Sequence, residues 1–143
     1  MELIYLDASV LLSLLIADGH TASASAWYSG LRAAVVVSDL ANLEVSAVAS
    51  RHLRVGRLTR QQVDGALLDF DALRAGCERL THSAADFQLG ERLARDFPTN
   101  LAAADALHLA SAKNAGATLA TFDGRLAEAA RGQGVEVVRF ESD

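Results

Sequence analysis

Four carboxylates stand where a folded chain has little use for charge. Asp7 closes a short apolar run over residues 2–7, immediately before an apolar helix. Asp123 follows another such run, ATLATF, in the same way. Asp is a favoured helix N-cap, so capping alone is a sufficient reading for each of these two. Asp105 and Glu44 are less easily absorbed. Asp105 lies in NLAAADALHLASA, about a turn and a half inside a predicted helix, with Leu101 and Leu109 at i±4 and Ala103, Leu107 and Ala110 on the other faces. Glu44 lies in LANLEVSAVA, stacked with Leu40 and Val48, while Leu43 and Ala47 take the next face. Both helices predict a buried carboxylate. Buried Asp and Glu are rare unless paired or metal-bound, and neither has a Lys or Arg at i±3 or i±4.

Acids brought together raise one another's pKa, and a divalent cation removes the conflict. A site made of oxygen ligands without His or Cys favours Mg²⁺ or Mn²⁺ over zinc. One or two such ions at a carboxylate cluster suit phosphodiester cleavage. Other chemistries find no support. His20, His52, His82 and His108 are scattered along the chain, without an HExxH or CxxC pattern, so zinc is disfavoured. There is no GxSxG elbow and no Walker A loop, and Gly132 and Gly134 precede a strand rather than a helix.

The elements that must position these acids follow from pattern. Residues 2–7 predict a strand, 8–17 a helix, 21–32 a helix and 34–38 (AVVVS) a buried β-branched strand. Residues 39–53 predict a helix ending near Gly56. Thr59 with Gln62 forms a capping box for a helix to about Ala75. Residues 78–81 predict a weak strand. Residues 83–97 predict a helix stopped by Pro98, and Asn100 predicts the cap of a helix through Asn114, ended by Gly116. A strand over 117–122, a helix over 123–131 and a last strand over 135–140 complete the chain. Strands alternating with helices predict a mostly parallel five-stranded sheet with helices on both faces, a three-layer αβα domain. Ligands of such sheets sit beyond the carboxyl ends of the strands. Asp7 and Asp123 end strands there, and Asp105 and Glu44 stand early in helices on the same side, so all four are expected to converge.

Composition sets the limits. The chain has 143 residues, 51% of them hydrophobic and 22% charged, which predicts a single domain over 1–143 that buries roughly two thirds of its unfolded surface. Disorder and a collagen-like chain are excluded. Cys77 is the only cysteine, so a disulfide framework is excluded too. The longest apolar stretch, Ala8 to Ala17, is about half of a membrane span and lacks a basic leader, so no membrane association and a cytoplasmic location are expected. The net charge of −5 argues against a uniformly basic nucleic-acid binder. Arg51, Arg54 and Arg57 nevertheless sit in an acid-free segment. That segment reads either as a solvated helix end or as a small electropositive patch for phosphates.

Four segments carry a family resemblance. Tyr5-Leu6-Asp7-Ala8-Ser9, Leu43-Glu44-Val45, Asp105-Ala106-Leu107-His108-Leu109-Ala110 and Thr121-Phe122-Asp123-Gly124-Arg125-Leu126 resemble, in order and spacing, the PIN-domain nucleases, and most of all the VapC toxins of bacterial toxin–antitoxin pairs. The resemblance spans essentially the whole chain. It implies a PIN-like fold and a Mg²⁺- or Mn²⁺-dependent endoribonuclease acting on structured RNA such as tRNA or rRNA. It also implies a homodimer neutralised by a VapB-like antitoxin. By motif position Asp7, Glu44, Asp105 and Asp123 match the catalytic quartet, with Asp7, Asp105 and Asp123 as metal ligands. Ser9 and Thr121 take the polar places beside the first and last acids, where local backbone bonding is the simpler role. His108 reads as a satisfied helix histidine ahead of a general base, and Trp27 and Tyr28 as packing or dimer-contact residues. The competing reading is a receiver-like signalling domain with an acidic Mg²⁺ pocket. It calls for paired acids after the first strand and a lysine after the last. The chain has a single Asp7, and its one lysine, Lys113, lies inside a helix.

Overall fold

The apolar run at the start of the chain becomes the centre of the sheet. In the computed structural model, which describes residues 2–141, β1 (Leu3–Leu6) pairs in parallel with β2 (Ala34–Ser38) on one side and β4 (Thr118–Ala120) on the other. The strand β3 (Glu78–Leu80) adds to β2, giving the order β3-β2-β1-β4. Between the strands run α1 (Ala8–Leu15), α2 (Thr21–Ser29), α3 (Asp39–Arg54), α4 (Arg60–Ala75), α5 (Ala84–Ala94) and α6 (Ala103–Asn114), and α7 (Gly124–Gly132) follows β4.

Strand side chains alternate between faces, and the two cores follow that alternation. Ile4, Leu6, Val37 and Ala120 point to one face, where Val10, Leu11, Ala41, Val45 and Phe70 of α1, α3 and α4 meet them. Tyr5, Val36 and Leu119 point to the other, against Leu93, Leu109, Leu126 and Ala130 of α5, α6 and α7. A parallel sheet covered on both faces needs continuous apolar strands, which is why LIYL and AVVVS lack polar alternation. The expected capping box is present: Thr59 Oγ1 accepts from Gln62 N and Gln62 Oε1 accepts from Thr59 N.

A polar network fixes α3 against α5 and α6. Leu40 N–H donates to His82 Nε2 at 3.1 Å, and His82 Nδ1 lies 2.7 Å from Ser111 Oγ. Ser111 and Asn114 both donate to Asp86, at 2.9 and 2.8 Å. Burial alone would raise the Asp86 carboxyl, but these bonds and those from Ser83 together hold it below the ordinary carboxylate range. The helices that carry Glu44 and His108 are thereby held in register.

Three expectations are corrected. The sheet has four strands, not five. Over the stretch 135–140 the chain makes a single parallel bridge, Leu119 to Val137, with Leu119 N to Glu136 O at 2.8 Å and Val138 N to Leu119 O at 2.9 Å. The strand β4 is only three residues long and offers no longer ladder. Beyond the bridge, Phe140 packs on Phe122 and Trp27, with ring centroids 4.4 and 5.2 Å away. Next, α5 stops at Ala94 rather than Phe97. The residue before a proline avoids helical backbone, and Thr99 N–H closes a turn onto Asp96 O at 3.1 Å. Finally, Asn100 is not a cap. It adopts φ +52°, a left-handed conformation that Asn tolerates better than most residues, and α6 starts after Ala102 with no side-chain cap.

Candidate functional site

The end of β1 and the end of β4 meet at Asp7. Its backbone N–H donates to Ala120 O at 3.1 Å, which sets the two strand ends side by side. Its side chain caps α1, accepting from Val10 N at 3.1 Å. Ser9 Oγ donates to Asp7 Oδ1 at 2.6 Å and Thr121 Oγ1 donates to Asp7 Oδ2. Each hydroxyl also accepts from backbone on the β4 side: Ser9 from Phe122 N at 2.9 Å and Thr121 from Asp123 N at 3.0 Å. The local bonding expected of Ser9 and Thr121 is thus only half of what they do. They also lace the two strand ends together through the Asp7 carboxylate. Asp7 is 4% exposed. Burial pushes its carboxyl up, against the pull of Ser9, Thr121, Val10 N–H and nearby His108. Three of its roughly four lone-pair positions are already used, so room remains for about one further ligand bond.

Asp105 sits nearer the helix start than expected. It is the third residue of α6 rather than a turn and a half inside, because Asn100 turns the chain instead of capping it. A carboxylate there is favoured by the free N–H groups and the positive end of the helix dipole. The rest of α6 is buried on nearly every face, including Ala106, His108, Leu109, Ala110, Ser111 and Ala112. Burial raises the Asp105 carboxyl above its ordinary range. The charge of Asp123 adds to this, His108 opposes it, and Asp7 and Glu44 contribute further. Four acids from four segments therefore share one electrostatic neighbourhood at the carboxyl end of the sheet. Asp105 and Asp123 line a common cleft with Asn100, Leu101, Ala102 and Arg125. Asp123 is exposed and caps α7, its Oδ1 accepting from Arg125 N and Leu126 N at 2.9 and 3.2 Å.

Glu44 departs from expectation in two ways. Its side chain is 30% exposed, because Leu43 and Ala47 face solvent rather than a core. It also has a partner from outside its helix: His108 Nε2 bonds Glu44 Oε1. The opposite ring nitrogen, Nδ1, lies 2.6 Å from the Tyr5 hydroxyl. Neither Tyr5 nor the bond to Glu44 was legible from spacing, since the pair is 64 residues apart. The one available signal was a histidine a turn from Asp105, in a stretch over residues 101–110 that is otherwise Leu and Ala.

Arg51 and Arg54 stand in the last turn of α3, with Arg57 just beyond, and all three are exposed. Arg51 is two turns past Glu44, about 10 Å along the axis, and none of the three lines the cleft of Asp105 and Asp123. Trp27 and Tyr28 pack against the core on the α1 face, as expected for packing residues.

Among the described residues, no three His, Cys, Asp or Glu side chains close into a ready-made metal cage. No helix among them is long and apolar enough to cross a membrane.

The profile of the PIN domain family matches residues 4–132. Solved structures share the fold at low identity. FitAcB from Neisseria gonorrhoeae is 20% identical with a TM-score of 0.76, covering 95% of this chain and 96% of that one. VapC20 from Mycobacterium tuberculosis, described as a sarcin-ricin-loop-cleaving toxin, is 20% identical with a TM-score of 0.71, covering 88% and 94%. VapBC2 from Rickettsia felis, bound to a DNA fragment from its promoter, is 14% identical with a TM-score of 0.73, covering 97% and 99%. A comparison with curated proteins found no match.

Proposed function

The chain belongs to the PIN-domain family, and from that premise we propose that it is a divalent-metal-dependent endoribonuclease, the toxin of a toxin–antitoxin pair. The observation that carries this reading is the placement of Asp105 beside Asp123 in one cleft, with no hydrogen-bond or ion-pair partner for the Asp105 side chain among the described residues, next to the adjoining ends of β1 and β4 that carry Asp7. A purely structural acid would have a cationic or hydrogen-bonding partner instead. The receiver-like alternative loses its support to the family match and to the strand order β3-β2-β1-β4, which is not the 2-1-3-4-5 order of flavodoxin-like sheets.

The residues fit a hard divalent cation. They are all-oxygen donors, they repel one another without a counterion, and Asp7 has about one ligand position left. An open arrangement suits Mg²⁺, which commonly keeps several waters and uses one or two carboxylates together with substrate phosphates. Asp7, Asp105 and Asp123 are the proposed ligands. Such an ion supplies Lewis acidity, activating water and neutralising charge on the phosphodiester. Ser9 and Thr121 fix the Asp7 carboxylate, and Glu44 completes the acidic quartet. The substrate class is structured RNA such as tRNA or rRNA, and the setting is the cytoplasm. A VapB-like antitoxin and a second copy of the chain are the proposed partners, and the exposed apolar side chains of Leu43 and Phe87 are of the kind such assemblies cover.

The direct test is incubation of purified protein with RNA in Mg²⁺ or Mn²⁺, and in chelator, with sequencing of the new 5′ ends. Discrete cuts that need the ion are expected. RNA left intact in both ions, or cut equally in chelator, overturns the reading.

Arg51, Arg54 and Arg57 are proposed to hold phosphates away from the cut. Replacing two of them by Ala should weaken RNA binding across sequences and flatten log K against log salt by about one unit for each phosphate no longer neutralised. An unchanged slope returns them to a solvated helix end.

A further inference from the structure

Glu44 is the most exposed of the side chains in its hydrogen-bonded chain, yet it is held by a buried one. An exposed glutamate ordinarily samples many rotamers. Here one carboxylate oxygen is bound by an imidazole that is 1% exposed, on a helix packed on nearly every side. That imidazole is itself anchored. A carboxylate only accepts, so Nε2 carries the hydrogen donated to Glu44, and in the neutral ring Nδ1 accepts from the Tyr5 hydroxyl. Tyr5 is fully buried, its ring lies edge-on to His108 at 5.6 Å, and burial keeps its phenol protonated and able to donate. Tyr5 thus ties the imidazole to the central strand β1. The chain Tyr5–His108–Glu44 starts on β1, passes through α6 and ends on α3. Glu44 Oε2 receives no hydrogen bond from the described residues.

We propose that His108 is a positioning residue for the site. It clamps Glu44 Oε1 and leaves the second oxygen free to serve the acidic site, and Tyr5 holds the imidazole in the tautomer and orientation that this requires. The assignment rests on the nuclease reading and deepens it. Partners that orient a site carboxylate or imidazole typically matter 10- to 100-fold in metal affinity or activity.

Two substitutions separate positioning from packing. In His108→Gln the terminal amide reaches the place of Nε2, keeping a donor to Glu44 and losing Tyr5. In His108→Asn the amide stops at the place of Nδ1, keeping Tyr5 and losing Glu44. Each removes one bond of the same chain, so both should lower the melting temperature to a similar extent. Their chemistry should differ. His108→Asn is expected to lose about 10- to 100-fold in kcat and in Mn²⁺ affinity measured calorimetrically without RNA, with KM for RNA unchanged. His108→Gln should recover most of both losses. Tyr5→Phe, which keeps the ring and removes the hydroxyl, should fall between them and serves if the His108 variants do not fold. Equal losses in Asn and Gln, or losses that track melting temperature alone, overturn the positioning role while leaving the nuclease reading intact. A wild type that cleaves no RNA overturns that reading, and this assignment with it.

Discussion

Asp7→Asn and Asp105→Asn each lose about 10³-fold or more in RNA cleavage while keeping the wild-type circular dichroism. An amide is a far poorer ligand for Mg²⁺ than a carboxylate. Removing one ligand bond that stabilises charge in the transition state costs several kcal/mol, and each 1.36 kcal/mol is tenfold in rate. The two variants keep their folds for different reasons. In Asp7→Asn the remaining carbonyl oxygen still accepts from Val10 N and Ser9, so the α1 cap survives, and the amide can donate to Thr121. In Asp105→Asn a repelled charge is removed from a half-buried place without loss of a cap. Asp7→Ala is the contrast. It leaves Val10 N–H, Ser9 and Thr121 without their shared acceptor in a buried place, at about 1–3 kcal/mol for each group left unsatisfied. Loss of activity in Asp7→Ala alone, with Asp7→Asn still cutting, would make Asp7 a structural cap and remove it from the site.

Much of the layout was legible because it rests on local rules. LIYL and AVVVS could only be strands covered on both faces, and Thr59 with Gln62 announced α4 through its capping box. Glycines 56 and 116 end α3 and α6 in the left-handed backbone that favours glycine, at φ +76° and +65°. The errors came where local preference met a competitor. Asn100 prefers both caps and left-handed turns, and the turn won. The apolar VEVVRF has strand composition, but β4 offers one bridge and the aromatic cluster takes Phe140. For the site, strand ends placed Asp7 and Asp123, and a charge on an apolar helix flagged Asp105. The partner of Glu44 was out of reach. Only the fold brings His108 across from another helix, and helix spacing carries no trace of it.

Binding of the cation to the folded site tests the central claim without any knowledge of the RNA. The Asp105 carboxyl is raised above its unfolded value. The stability it confers is therefore fully present below about pH 3.9 and is lost as pH rises through its raised folded value. At neutral pH the ion-free protein carries that cost, and Asp105→Asn removes it. In chelator the variant should melt above the wild type. Mg²⁺ or Mn²⁺ at 100 times its dissociation constant should then stabilise the wild type by about 2.7 kcal/mol, a rise on the order of 10 °C for a domain of this size. The variant should gain much less. Melting curves of both proteins in chelator and in Mn²⁺ are the measurement. The account predicts that the order reverses on adding the ion, with Asp105→Asn higher without it and the wild type higher with it. An Asp105→Asn protein that melts well below the wild type in chelator, beside a wild type indifferent to either ion, would contradict the account and make Asp105 a structural acid.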